Sequence, residues 1–295
     1  MHKTLFKGSG VAIATPVDSN LNINFETFEK LLDFHLENET DAIIVCGTTG
    51  EASTLTDEEQ IEAIRFAVEK VNKRVPVIAG AGSNHTEHGV HLCKESQKAG
   101  VDGLLLVTPY YNKTTQKGLI THYGQMAAAV DVPIILYNVP SRTGLNILPK
   151  TAYELSKIEH IVGIKEASGH IDQIAELAHL VNGRLDIYSG NDDQILPVLS
   201  LGGIGVISVL ANIVPKDVHD MVFHFLNNNV EAAIALQLKS IPLVKALFCE
   251  VNPIPVKAAL NLMGYNAGGH RLPLVPIEPQ NEEVLKAAMK AYGLI

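Results

Sequence analysis

Short apolar runs recur along this 295-residue chain at a steady interval, and that recurrence limits the fold more than any other feature. The runs are GVAIATP (10–16), DAIIVCG (41–47), VPVIAGAG (75–82) and DGLLLVTP (102–109), followed by VPIILYNVP (132–140), HIVGIKEA (160–167), LDIYSG (185–190) and GIGVISV (203–209). Each is β-branched or leucine-rich, and most end at Gly or Pro. Short continuous apolar runs of this kind fit strands buried on both faces of a parallel sheet. Helical patterns fill the gaps. NFETFEKLLDFHLEN starts with Asn24, a natural cap, and TDEEQIEAIRFAVEKVN opens with Thr56 and places Glu59 three residues on, the pattern of a capping box. Strand and helix alternate at roughly 25–35 residues per unit, which specifies a parallel α/β architecture. Eight units point to a closed (β/α)8 barrel of TIM type. An open doubly wound sheet is the structural alternative, weakened because no GxGxxG opens a helix after the first run. The expected organisation is a catalytic barrel over residues 1–224 and a helical region over 225–295, packed on the barrel and without chemistry of its own.

Bulk properties narrow the function. Apolar residues make up 46% and charged residues 19%, enough for a large core. A net charge of −9 repels phosphate backbones, so no nucleic-acid partner is expected. No apolar run approaches the ~20 residues of a membrane span, and the stretch before Pro16 and Asp18 has no leader-like core. Cys46, Cys93 and Cys249 are too scattered for a disulfide framework or a CxxC zinc site, and Cys46 and Cys249 sit in apolar runs as small hydrophobes. A reduced, cytoplasmic protein is the expectation.

In such a barrel the catalytic groups follow the strands. After the second run comes GTTGE (47–51), after the fourth TPYYNK (108–113), and after the fifth YNVPSRTG (137–144). The sixth ends in Lys165, the seventh in SGNDD (189–193) and the eighth in ISVLAN (207–212). Hydroxyls, phenols, one arginine and one lysine therefore gather at one rim. An amine in an apolar wall is poorly solvated as a cation, and a free amine condenses with a keto group to a Schiff base. The protonated imine is an electron sink, so the adjacent carbon can become an enamine that attacks an aldehyde. Such a reaction needs a proton shuttle and carboxylate clamps. Tyr137 is placed to shuttle, with Thr48 linking it to Tyr111; the N–H groups of Thr48 and Thr49 and the planar fork of Arg142 suit carboxylates. A metal route is the competitor: HTEHGVH sets His85, His88 and His91 three apart, but no acidic or Cys partner lies at ligand spacing, so a solvated helix face is expected.

Together GTTGE, TPYYNK, YNVPSRTG, GIKEASG, SGNDD and NPIPVKAAL resemble the dihydrodipicolinate synthase (4-hydroxy-tetrahydrodipicolinate synthase) family over almost the whole chain. The resemblance implies a (β/α)8 barrel with a C-terminal helical region, assembled as a homotetramer, a dimer of dimers. It implies condensation of pyruvate with L-aspartate 4-semialdehyde on the route to diaminopimelate and lysine, with no metal or organic cofactor. Lys165 would form the Schiff base and Tyr137 would be the acid/base. Thr48 would connect Tyr137 to Tyr111 from a neighbouring subunit. Thr49 would help bind the pyruvate carboxylate and Arg142 the semialdehyde carboxylate. Ile207 would offer a backbone carbonyl near the lysine, and Gly190 would belong to the substrate-binding set. The lysine and the Gly-Thr-Thr-Gly pattern mark a wider superfamily that includes N-acetylneuraminate lyase and sugar-acid aldolases; SRTG, with its second carboxylate clamp, favours the synthase.

One part departs from the family. Some members bind lysine as a feedback inhibitor, and the corresponding positions here are Ala52, Asp57, Gln60, Asn84, His88 and Tyr110. Only Asn84 and Tyr110 fit. A glutamate that would hold the lysine ammonium is His88, which attracts no ammonium. The site is expected to be vestigial. Two other functions remain open: a class I aldolase acting on a sugar-derived aldehyde, and a barrel that binds a keto acid without turning it over. The joint presence of Lys165, Tyr137 and Thr48 argues against the second.

Overall fold

Each apolar run folds as a strand in a computed structural model that describes residues 4–295; the first three residues of the N-terminal stretch read for a leader lie outside it. The strands are β1 (Gly8–Ala12), β2 (Ala42–Val45), β3 (Val77–Gly80), β4 (Gly103–Val107), β5 (Ile134–Asn138), β6 (Ile161–Glu166), β7 (Asp186–Ser189) and β8 (Gly205–Ser208). They close in sequence order into one all-parallel barrel, β1 pairing with β8 through Gly8–Val11 and Gly205–Ser208. The closed barrel, not the open sheet, is the outcome.

Helices follow the strands. They are α1 (Phe25–Glu37), α2 (Asp57–Val71), α3 (Thr86–Lys98), α4 (Gln116–Ala127), α5 (Pro140–Thr143), α6 (Pro149–Leu155), α7 (Ile171–Val181), α8 (Ile195–Ser200) and α9 (Pro215–Leu226). Three more complete the chain: α10 (Val230–Leu247), α11 (Ile254–Leu262) and α12 (Pro279–Tyr292). Both sequence caps hold. The Asn24 side chain accepts from the Thr27 N–H, and Thr56 and Glu59 form the reciprocal box, each satisfying an orphan donor. Helix α10 packs on α9 and α12, so the C-terminal region continues the helical layer.

Alternation along the strands builds two cores. Val11, Ile43, Ile134, Leu136 and Ile164 face the helices, while Ala42, Ile44, Ile78, Leu105, Ile135, Tyr137, Tyr188 and Ile207 fill the barrel. Phe6 stacks on Tyr188 at 4.5 Å and accepts its hydroxyl proton at the backbone carbonyl, 2.8 Å away. Cys46 and Cys93 are buried, and burial pushes both thiols up to about 12; Cys249 is only half-buried. No described helix is long and apolar enough to cross a membrane.

The N-terminal end of the barrel carries a charge cluster. His219 Nδ1 lies 2.9 Å from Asp41 Oδ2, which also accepts the Ser9 N–H at 2.7 Å. The Asp41 bond, with Glu39 beside it, raises the His219 pKa above its ordinary value against a smaller effect of burial. The pair therefore stabilises the fold fully below the unfolded histidine value of about 6.5 and is lost as pH rises through the raised folded value. His219→Gln is expected to lower Tm by about 2–4 °C at pH 5.5, the equivalent of about 1 kcal/mol, and by less at pH 9. Thermal scans at the two pH values check this; equal losses would remove the ion pair from the account.

Candidate active site

The closing strands put Lys165 and Tyr137 opposite each other, since Tyr137 on β5 is the register partner of Lys165 on β6. Parity turns both into the barrel. Lys165 is 4% exposed and Tyr137 8%, and the lysine Nζ sits 4.3 Å from the centre of the tyrosine ring. An ammonium or iminium there meets a π face and apolar walls rather than bulk water. Buried Lys165 thus ends no strand in solvent.

A cavity of about 220 Å³ opens above this pair. Thr48, Thr49, Tyr137, Arg142, Lys165 and Gly190 line it, together with Ser141, Asn191, Phe248 and Asn252. Six of the eight expected catalytic and substrate residues therefore meet in one place. Thr48 and Thr49 arrive on the turn after β2, and Arg142 on the single-turn α5, whose start is fixed by Pro140 at its first position. Arg142 Nη2 donates to the Asn252 carbonyl at 3.3 Å. The Gly190 N–H donates to the Glu166 carbonyl at 2.7 Å. A Cβ at Gly190 would stand 2.6 Å from Ala167 Cβ and 3.1 Å from both the Glu166 carbonyl oxygen and Lys165 Cε, so a side chain there would press on the end of β6 that carries the lysine.

Two expected residues are not in the cavity lining. Ile207 is fully buried in the barrel interior, while Val209 two residues on lines the cavity. Tyr111 is 91% exposed, at φ 69° on the loop after β4, and reaches none of these groups within its own chain.

Carboxylates flank the cavity without lining it. Glu166, next to Lys165, points to the helix layer, where it accepts from Ser168 N–H at 2.7 Å and from Asn138 Nδ2 at 3.0 and 3.2 Å. Burial raises its pKa against those bonds. Asp192 accepts the N–H groups of Val209 and Leu210 at 3.0 and 2.9 Å. Burial raises its pKa as well, opposed by these bonds, by Ser208 and by the Lys165 charge.

A second cavity, of about 390 Å³, shares Thr48, Tyr137 and Arg142 with the first and extends to Ala52, Asp57, Gln60, His88 and Tyr110. Here His88 Nε2 lies 2.9 Å from Asp57 Oδ1 and its Nδ1 3.1 Å from Ser83 Oγ, so both ring nitrogens are taken. Gln60 Nε2 donates to the Gly80 carbonyl, and Asn84 Nδ2 to the Tyr110 carbonyl. The acidic neighbour of these histidines, Asp57, comes from α2, not from the His-rich segment itself; His91 lies 3.8 Å from it. Local spacing has no means of revealing that partner.

Sequence reasoning also missed Asn252 and Phe248, which come from the region read as having no chemistry. The available signal was NPIPVK: a polar residue before Pro253, at a helix start, following an apolar helix.

A (β/α)8 barrel with a buried lysine–tyrosine pair at the C-terminal mouth of its strands defines a class, the barrel lyases. Within it the chain belongs to the Dihydrodipicolinate synthetase family, whose sequence profile matches residues 5–292. It is 62% identical over 290 residues to the 4-hydroxy-tetrahydrodipicolinate synthase of Caldicellulosiruptor saccharolyticus, covering 98% of both chains. Identity to that of Caldicellulosiruptor bescii is 61% over 291 residues, 99% of this chain and 98% of the other. The chloride-inhibited dihydrodipicolinate synthase of Acinetobacter baumannii, solved with pyruvate, superposes with a TM-score of 0.97 at 44% identity, covering 99% of this chain and 100% of that one.

Gly190→Ala is expected to slow adduct formation between Lys165 and a small keto acid by roughly 10²-fold, because displacing a reacting group by about 1 Å costs that much. Borohydride trapping followed by mass spectrometry measures it, with circular dichroism as a check on folding. An unchanged rate would mean that the lysine chain does not depend on this glycine.

Proposed function

We propose that this protein condenses pyruvate with L-aspartate 4-semialdehyde to give 4-hydroxy-tetrahydrodipicolinate, for diaminopimelate and lysine biosynthesis. The observation that carries it is the buried Lys165–Tyr137 pair in one cavity with Arg142, in a chain this similar to named synthases. In this reading the Lys165 amine adds to the pyruvate keto carbon, and water leaves as the imine forms. Tyr137 moves the protons of these steps. Loss of a methyl proton gives the enamine, whose carbon bonds to the semialdehyde carbonyl carbon. The amino group of the semialdehyde then displaces Lys165 from the imine carbon, closing the ring and freeing the enzyme. No metal or organic cofactor enters these steps.

Thr49 and the turn N–H groups hold the pyruvate carboxylate, and Arg142 the carboxylate of the second substrate, for which its planar fork is suited. Gly190 admits the substrate beside the lysine, and the Ile207 carbonyl lies near the imine. Thr48 bridges Tyr137 to Tyr111 of a second copy, since an exposed tyrosine at the mouth of a neighbour's site accounts for its 91% exposure. That crossing needs at least a dimer; by resemblance to the family the working assembly is a homotetramer, a dimer of dimers, in the cytoplasm. The site at Ala52, Asp57, Gln60, Asn84, His88 and Tyr110 is vestigial.

The deciding experiment is pyruvate consumption by the pure protein with L-aspartate 4-semialdehyde and with N-acetylmannosamine, offered separately. Turnover with the semialdehyde alone, and a KM for it that rises more than that for pyruvate in Arg142→Ala, is the expected result. Turnover only with the sugar would transfer the reaction to the sugar-aldehyde lyases and end the clamp role of Arg142.

Tyr137→Phe is expected to lower kcat by roughly 10² or more, the scale of a lost acid/base; an unchanged rate in steady-state assays would end the shuttle assignment. L-Lysine at sub-millimolar concentration is expected to leave turnover largely intact, because His88 is no carboxylate and the Asp57 carboxylate beside it is already engaged by the His88 ring. Full inhibition in the same assay would overturn the vestigial reading.

A further inference from the structure

The turn that carries Thr48 and Thr49 ends in Glu51, whose backbone is left-handed at φ 54°. That conformation is uncommon for a residue other than glycine. Here the carboxylate is drawn inward. Glu51 Oε1 lies 2.8 Å from Lys257 Nζ and 3.4 Å from His270 Nδ1, with side-chain exposures of 6%, 0% and 5%. Behind the turn, Thr15 Oγ1 donates to the Gly50 carbonyl at 2.8 Å, and the Glu51 N–H donates to the Thr48 carbonyl at 3.1 Å.

Lys257 stands in the first turn of α11. Just before that helix, Asn252 Nδ2 donates to Thr49 Oγ1 at 3.0 Å, and the Asn252 carbonyl accepts from Arg142. Two ties thus join the C-terminal helices to one short turn across 206 and 203 residues of sequence. Neither Glu51 nor Lys257 lines the cavity around Lys165. Burying both charges is costly, and an apolar pair of similar volume is often as stable or more so. Stability alone gives no reason for this pair.

We propose that the buried Glu51–Lys257 ion pair is a positioning device: through it the C-terminal helical region sets the placement of the Thr48–Thr49 turn, and so the affinity of the subsite for the keto-acid carboxylate. This rests on the reading above that the turn holds pyruvate. Glu51 and Lys257 are positioning residues and touch no reacting atom.

The test compares Glu51→Gln, Lys257→Met and the double variant Glu51→Leu/Lys257→Met in the full-length enzyme. Three quantities are measured: Tm, the pyruvate concentration that half-saturates borohydride-trapped adduct on Lys165, and the KM for the semialdehyde. Lys257→Met leaves a buried carboxylate without its lysine and is expected to lower Tm by roughly 5–10 °C. The double variant leaves neither member of the ion pair and is expected to recover most of that loss. Its half-saturation for pyruvate is expected to stay about tenfold above wild type while the semialdehyde KM stays within about twofold, because the turn remains unanchored. A return of pyruvate half-saturation to the wild-type value together with Tm would overturn the proposal, as would equal rises for both substrates. Absence of any pyruvate adduct in the wild-type enzyme would instead remove the reading of Lys165 and this inference with it.

Discussion

Two ionisable side chains occupy consecutive buried positions of one strand, and the closed barrel forces them apart. On β6, Lys165 faces the interior and Glu166 the helix layer, because neighbouring residues of a strand alternate sides. They are adjacent in sequence yet live in different environments. Glu166 finds Asn138 and the Ser168 N–H, and is satisfied. Lys165 finds the ring of Tyr137 and a cavity. A shift of one residue in the register of β6 would exchange them, putting a carboxylate where the amine stands. The pairing of Tyr137 with Lys165 and of Asn138 with Glu166 resists that shift, since both faces of the strand end are specified at once. The site therefore depends on register, and register depends on the polar contacts outside the barrel as much as on the apolar ones within it.

The same parity explains what was legible in the sequence. All eight strands were visible because each is buried on both faces over most of its length and reads as a largely apolar run. The rim was visible because the fold places functional side chains just after such runs, and Lys165, Tyr137, Thr48, Thr49, Arg142 and Gly190 all follow or end one. Asn252 and Phe248 were not visible by that rule. They follow no strand, and their place at the cavity is set by how α10 and α11 pack on the barrel, a contact across some 200 residues from Thr49 that no periodicity encodes. The resemblance placed Asp57 and His88 in one site, but their direct contact, at a sequence distance of 31, was not legible from the spacing of the histidines. Tyr111 is a different case. Its left-handed backbone and exposure are properties of one chain, whereas its expected partner belongs to another copy.

Charge poses the remaining question. The chain carries a net −9, yet the proposed substrates are both carboxylates. The overall field opposes the approach of anionic pyruvate, while the semialdehyde carries an ammonium that balances its carboxylate; only the local arrangement can favour the carboxylate ends of both. The nearby carboxylates are all turned away or neutralised. Glu51 is held by Lys257 and His270; burial raises its pKa, but these partners outweigh burial and bring it below the ordinary value. Asp192 is capped by two N–H groups and Glu166 faces outward. No carboxylate lines the cavity around Lys165 among the described residues, and Arg142 brings a guanidinium to it. In a poorly hydrated pocket that local charge weighs more than the same charge on the surface, because water screens it less. Removing the Lys257 charge would therefore act twice, freeing the turn that carries Thr49 and returning a carboxylate's negative potential to the edge of an anion site.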